Sequence, residues 1–178
     1  MFKIQINDSL DIRLIELNHA NDLYLLIEKN RERLKEWFDW TDKVQNETDA
    51  KNYIHYVKGH IGKIGFMHAS IWEHDKMIGV ISHQNYKASN HSISIGYWLD
   101  IDSEGKGIMT DVVKAMTSYA FYQGLNKVEI FCAVGNSKSS RIPEKLNFTK
   151  EGLIRSAERL HGKYIDNYVY GMLAHEWE

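Results

Sequence analysis

Apolar residues recur along this chain in two rhythms, every third or fourth position in some stretches and every second in others, and these rhythms predict its elements. Residues 11–15 read as a short strand. Beyond it Leu23, Leu26 and Ile27 share one face of a helix for which Asn18 is a candidate N-cap, and the helical region continues, broken, through Trp37 and Trp40. Thr48 is placed to cap a second helix that carries Tyr53, Ile54 and Val57 towards Gly59. Three strands follow, near 64–73, 77–85 and 91–99, the first two joined as a hairpin by His74-Asp75-Lys76. Ile108, Val112, Ala115, Met116, Tyr119 and Ala120 then mark a clear amphipathic helix, with Gly124 placed to end it. A strand over 128–134 comes next, followed by a helix starting at Asn136 or Ser137 and ending near Leu146, where Asn147 tolerates the left-handed conformation. Pro143 is expected to weaken that helix's first turns, and strands near 148–155 and 165–174 close the chain.

This order (strand, two helices, three mostly antiparallel strands, helix, strand, helix, two strands) predicts an α/β (α+β mixed) fold, a mixed, mostly antiparallel central sheet flanked by helices. A doubly wound sheet would need repeated βα units. The strand, helix and strand from 91 to 134 call for a right-handed crossover and parallel neighbours. Pro143 is the only proline, and no Gly/Ser-rich linker, repeat or low-complexity tract interrupts the pattern, so one domain over 1–178 is expected.

Composition narrows the class. The 178 residues are 43% hydrophobic and 26% charged, ordinary for a soluble globular domain. A formal net charge of −2 argues against a general polyanion binder, so no direct nucleic-acid partner is expected. The lone Cys132 can form no intramolecular disulfide, the first residues lack a signal-peptide apolar core, and no apolar run is long enough to span a membrane, which together predict a cytoplasmic protein without a membrane partner. Among the nine histidines, His55 and His60 are five apart and no His-Glu-x-x-His segment exists, so no metal is expected.

The chemistry concentrates between Gly96 and Thr110, where a strand runs into a glycine-broken turn and straight into a helix. Gly105 and Gly107 let the backbone approach a ligand closely, and the first amides of the helix point at it unpaired, so the turn is a candidate anion site. The plainer alternative is a connection that needs only glycine dihedrals. A Rossmann fingerprint fits poorly, since it wants a third small residue after Gly107 and an acid about 20 residues on. A Walker loop is excluded, because no Gly-Lys-Ser/Thr follows.

The turn Glu104-Gly105-Lys106-Gly107-Ile108-Met109 is followed, in order, by Cys132-Ala133-Val134-Gly135-Asn136-Ser137-Lys138-Ser139 and Lys145-Leu146-Asn147-Phe148-Thr149-Lys150-Glu151-Gly152. Together these resemble the GNAT N-acetyltransferases, and among them the bacterial ribosomal-protein N-terminal acetyltransferases of the Rim type, over nearly the whole chain. The chain departs from the family pattern at Glu104 (in place of glutamine or arginine), at Met109 (in place of a small residue) and at Asn147 (in place of glycine). The resemblance implies a GNAT-like sheet whose fourth and fifth strands, near 91–99 and 128–134, splay apart. It implies acetyl-CoA as co-substrate, with its pyrophosphate on the main chain of Glu104, Gly105, Lys106, Gly107, Ile108, Met109 and Thr110. The pantetheine arm would run beside Tyr97 and Leu99 and bond to Asn136. The Glu104 side chain is expected to point away from the phosphates. Glu158 matches the family's general base, acting through water, and Ser139 the group that hydrogen-bonds the departing sulfur. Direct transfer in a ternary complex follows.

Each of these residues also has a plainer role. Glu158 can pair with Arg155 or Arg159, Asn136 can cap a helix, Ser139 can be a helix-start hydroxyl, and Cys132 is read as a buried structural thiol rather than an acyl carrier. Trp37 and Trp40, with Asp39 and Asp42, are candidates for a wall that attracts a cationic acceptor, or else core residues beside a solvated turn. His161, Tyr164 and Asp166 are further acceptor-side candidates. The resemblance points to a protein N-terminal amine, most directly that of a ribosomal protein. A polyamine, an aminoglycoside, a non-catalytic acyl-CoA-binding module and, more weakly, a nucleotide-binding regulator stand as alternatives. Homodimers occur in the family, and no segment here marks an interface.

Overall fold

The computed structural model describes residues 3–61 and 67–178. Strands β1 (Lys3–Gln5) and β2 (Leu10–Leu14) precede helices α1 (Ala20–Lys35) and α2 (Glu47–Ile61). Strands β3 (His68–Glu73), β4 (Lys76–Lys87) and β5 (Ser92–Leu99) lead into α3 (Ile108–Tyr122), β6 (Lys127–Ala133), α4 (Ser137–Lys145), β7 (Thr149–Leu160) and β8 (Lys163–Leu173). The strands form one eight-stranded sheet in the order β1-β2-β3-β4-β5-β6-β8-β7, with β5 and β6 parallel and the pairs β1–β2, β2–β3, β3–β4, β6–β8 and β7–β8 antiparallel. No helix among the described residues is long and apolar enough to cross a membrane.

Local chemistry explains most boundaries. His74 and Asp75 both take positive φ, 48° and 62°, the turn geometry whose twist matches a tight hairpin between β3 and β4. Asn136 accepts a hydrogen bond from the Ser139 N–H at 3.1 Å and caps α4, and Asn147, at φ 59°, lies just beyond its end. Supported by that cap, α4 runs through Pro143.

Several expectations need correction. A strand, β1, precedes the first one expected; at three residues it is too short to show alternation and is held by its pairing of Ile4 with Ile12. Asn18 lies inside a 3₁₀ turn, Leu17–His19, and caps nothing, since α1 begins only at Ala20. Asn46, not Thr48, caps α2, accepting from the Asp49 N–H at 3.0 Å. β3 is described from His68 onward, so residues 64–66 of the strand expected there lie outside the described residues. β7 and β8 extend five and two residues further towards each other than expected, to a two-residue turn at His161 and Gly162.

The chain forms two compact units, Met1–Ser82 with Tyr97–Lys106, and His83–Gly96 with Gly107–Glu178. The chain passes between them inside β4, inside β5 and inside the glycine turn, so no linker composition marks the passage. In the first unit α1 and α2 bury Leu23, Ile27, Leu34 and Ile54 with Trp72, Val80 and Trp98. In the second, Val112 and Met116 of α3, Val128 and Ile130 of β6, and Tyr170 of β8 are buried. Within this second unit the parallel ladder joins Ser92, Ile93 and Ser94 to Lys127, Val128 and Glu129 and stops there, although β5 continues as far as Gly96 in the same unit. A parting of these two strands opens main-chain groups that a sheet would otherwise satisfy.

Candidate active site

The segment from Leu99 to Glu104 is pinned by one face of α1. Asn30, 3% exposed, donates from Nδ2 to Asp100 Oδ1 at 3.0 Å and to the Leu26 carbonyl at 2.9 Å; its Oδ1 accepts from the Ile101 N–H at 3.0 Å and from Arg33 Nη2 at 3.1 Å. Lys29 reaches Asp100 and Asp102, each at 2.6 Å. Arg33 pairs with Glu104 at 2.7 Å and donates to the Leu99 carbonyl. Burial acts on the fully buried Asp100 to raise its pKa, yet the hydrogen bonds from Lys29 and Asn30 outweigh it and hold the carboxyl below its ordinary range. Glu104, the departure from the family pattern, thus has its charge matched by Arg33. The carbonyl of Leu99, a residue that the resemblance sets beside a pantetheine arm, is engaged by the same guanidinium.

Beyond Glu104 the backbone turns through Gly105 at φ 78° and Gly107 at φ 81°. A Cβ at either position would meet nothing within 4 Å, so open space lies against both glycines. The α3 ladder begins with the Asp111 N–H donating to the Gly107 carbonyl at 3.2 Å, and no side chain caps the start. The N–H groups of Ile108, Met109 and Thr110 therefore have no intrahelical acceptor, and the dipole of a 15-residue helix adds to their pull on an anion. Met109 and Ile108 are buried, so the large side chain at 109 is housed in the core. Lys106 is exposed and Tyr97 half-buried. Main-chain donors with room in front of them suit a diphosphate.

In the second unit, the Asn136 side-chain oxygen is committed to the α4 cap, which leaves its Nδ2 as the group able to donate to a ligand. The Ser139 hydroxyl lies 3.4 Å from the sulfur of Cys132, which is 1% exposed and so a core thiol. Glu158 on β7 accepts from Asn167 Nδ2 at 2.9 Å rather than forming an ion pair with Arg155 or Arg159. The pleat then separates the two proton-handling candidates. Cys132 pairs with Tyr168 and Ala133 with Asn167, so Ser139 touches one face of the β6–β8 pair and Glu158 the other.

The tryptophans behave differently. Trp40 stacks on Tyr53 at 5.5 Å and 16° and leans on Phe38 and Trp98, and the Tyr53 hydroxyl meets His68 Nε2 at 3.1 Å. Burial raises the Tyr53 pKa and lowers that of His68 to about 4, so this pair is neutral at pH 7. Trp40 therefore belongs to a packed aromatic group, while Trp37 is half-buried and Asp42 is paired with Lys35 at 3.1 Å. Tyr164 is 70% exposed on the β7–β8 hairpin. Asp166 accepts from the Ser156 N–H at 2.8 Å. No group of three or more His, Cys, Asp or Glu among the described residues is arranged to hold a metal ion.

Residues 9–149 match the family described as Acetyltransferase (GNAT) domain. The Bacillus subtilis protein YdaF is 33% identical over 180 residues, covering 100% of this chain and 98% of its own. The ribosomal-protein-serine acetyltransferase of Escherichia coli is 31% identical over 176 residues, 96% of each chain. Among solved structures, RimL, a ribosomal L7/L12 α-N-protein acetyltransferase in complex with coenzyme A, aligns with a TM-score of 0.91 at 26% identity, covering 98% of this chain and 99% of that one.

Proposed function

The chain belongs to the GNAT family and is an acetyl-CoA-dependent N-acetyltransferase, and from that premise we propose that its acceptor is the N-terminal α-amino group of a protein, a ribosomal protein foremost. The observation that carries this reading is the similarity to the Escherichia coli ribosomal-protein-serine acetyltransferase along 96% of both chains, a longer share than the family match over residues 9–149.

When bound, acetyl-CoA supplies a thioester whose acyl carbon is open to an amine. The amides of Ile108, Met109 and Thr110, with Gly105 and Gly107 clearing their approach, hold the diphosphate, and Arg33 keeps the Glu104 carboxylate from opposing it. Asn136 Nδ2 donates to the pantetheine arm. Glu158 takes the proton that the amine gives up, directly or through one water. A weak base suffices, because an α-amino group has a pKa of about 7.7–8.0 against about 10.4 for lysine. Ser139 hydrogen-bonds the departing sulfur from the other face of the strand pair and passes on to it a proton taken from solvent, so that its own hydroxyl is left unchanged. An N–C bond forms, a C–S bond breaks, and the proton lost by nitrogen is balanced by the one gained by sulfur. A cytoplasmic setting, where acetyl-CoA meets nascent N-termini, fits a chain whose lone cysteine is a buried thiol.

The test is thiol release from acetyl-CoA with four acceptors: a peptide with a free N-terminal serine, the same peptide Nα-blocked but carrying a lysine, a polyamine and an aminoglycoside. The free N-terminus is expected to lead by tenfold or more in kcat/KM, about 1.4 kcal/mol of discrimination. Faster turnover of the polyamine or aminoglycoside moves the acceptor to the small-molecule class.

A further inference from the structure

Along the β7–β8 hairpin Ile154 pairs with Asn167 but Glu158 pairs with Ile165, so four steps on β7 match two on β8. The surplus is taken up around Ser156, which sits at φ 51° with its N–H on Asp166 Oδ1 at 2.8 Å. In straight register Glu158 would face Lys163 at the mouth of the hairpin. The bulge draws it back by two β8 residues, roughly 7 Å. Because the slip is even, Glu158 stays on the face of Asn167.

Asn167 is 2% exposed and paired on both sides, to Ala133 of β6 and Ile154 of β7. Its Nδ2 donates to Glu158 Oε1 at 2.9 Å. Its Oδ1 is buried and has no hydrogen-bond partner among the described residues. A residue kept for packing alone would not leave a buried oxygen unsatisfied at a cost of about 1–3 kcal/mol, and an asparagine is a poor strand former in the run Tyr164-Ile165-Asp166-Asn167-Tyr168-Val169-Tyr170.

We propose that Asn167 is a positioning residue for acetyl transfer. It fixes one oxygen of the Glu158 carboxylate and so presents the other to the acceptor amine. The bulge at Ser156 is the device that brings the two side chains together. This inference rests on the reading of Glu158 as the proton acceptor.

Steady-state kinetics on the full chain, with an N-terminal-serine peptide and acetyl-CoA, test it through a double-mutant cycle. Glu158→Gln is expected to lower kcat by about 10²-fold, the low end for loss of a general base. Asn167→Ala is expected to lower kcat about tenfold while the KM for acetyl-CoA stays within about twofold, and the double variant to fall no further than Glu158→Gln alone. Asn167→Asp, equal in volume but without the N–H donor, is expected to lose at least as much as Asn167→Ala; it carries the same test if the alanine variant does not melt cooperatively. A damaged Glu158→Gln beside an intact Asn167→Ala, or losses that multiply in the double variant, overturns the role of Asn167 alone. Full activity of Glu158→Gln overturns the reading of Glu158 itself.

Discussion

Replacing Asn30 with alanine tests the link between α1 and the turn that leads to the anion site. The change removes the N–H donated to the buried Asp100 carboxylate at 3.0 Å and the oxygen that receives the Ile101 N–H at 3.0 Å. A hydrogen bond to a charged group contributes roughly 1.5–3 kcal/mol, and the one from the N–H of Ile101, a residue 44% exposed whose donor water can reach, about 0.5–1.5 kcal/mol. Allowing for relaxation, the loss is about 2–4 kcal/mol, which for a chain of this size lowers Tm by about 4–16 °C. Because Asp100 has its carboxyl held below the ordinary range in the fold, its share of that stability is fully present above the unfolded value, 3.8, and is lost as pH falls through the folded value. The gap between parent and variant should therefore narrow in strong acid. The same loosening frees the segment from Leu99 to Glu104, so the KM for acetyl-CoA is expected to rise about tenfold with kcat at saturation little changed, the pattern for loss of uniform binding. Thermal unfolding monitored by circular dichroism, repeated across pH, and steady-state kinetics read both quantities. A Tm drop below about 2 °C with an unchanged KM would refute the claim that this network holds the turn.

Three further outcomes follow from single contacts. Burial lowers the pKa of His83 to about 4, although its contact with the Met116 carbonyl works the other way, so the ring is neutral in the fold and stability should fall as pH drops from 6.5 towards 4; His83→Phe, which keeps the stack on Tyr119, should remove about 3 kcal/mol of that acid sensitivity in pH-dependent melts. Gly107→Ala places a Cβ in open space at φ 81°, so its stability cost is torsional, about 1–2 kcal/mol, while the methyl crowds the amides behind it and the acetyl-CoA KM should rise several-fold; an unchanged KM would exclude the turn as the phosphate seat. Glu104→Gln releases the charge of Arg33, and the acetyl-CoA KM is expected to fall about 2–5-fold at low salt and return towards the parent value at high salt; a rise would mean that Glu104 itself assists binding.

The elements written most legibly in the chain are those whose signals are local. The apolar rhythm from Ile108 to Ala120, the capping Asn136, the left-handed Asn147 and the His74-Asp75 turn each act within a few residues, and each sits where the pattern placed it. The local pattern misleads where two signals compete, as with Asn46 against Thr48, and is silent where a strand is too short to carry a rhythm, as with β1. The site was half legible. Gly105, Gly107 and the start of α3 could be read as an anion seat, whereas Arg33 and Asn30, 71 and 70 residues from Glu104 and Asp100, gave no sign of their partners. Asn167 did leave a trace, an asparagine in a strand-forming run, that was open to notice.

Sequence alone determined the order of the helices and of every strand but β1, and the glycine-opened helix start, because dihedral preference, periodicity and capping operate over one or two turns of chain; the family was legible only through the resemblance of three short motifs. Tertiary structure alone decided which side chain meets which: that Glu104 is matched by Arg33, that Trp40 stacks on Tyr53, and that Glu158 meets Asn167. Those pairings depend on strand register, on a bulge that moves a carboxylate by two positions, and on helix packing. All three are settled by burial and hydrogen-bond satisfaction across the whole fold, quantities that no local window of residues contains.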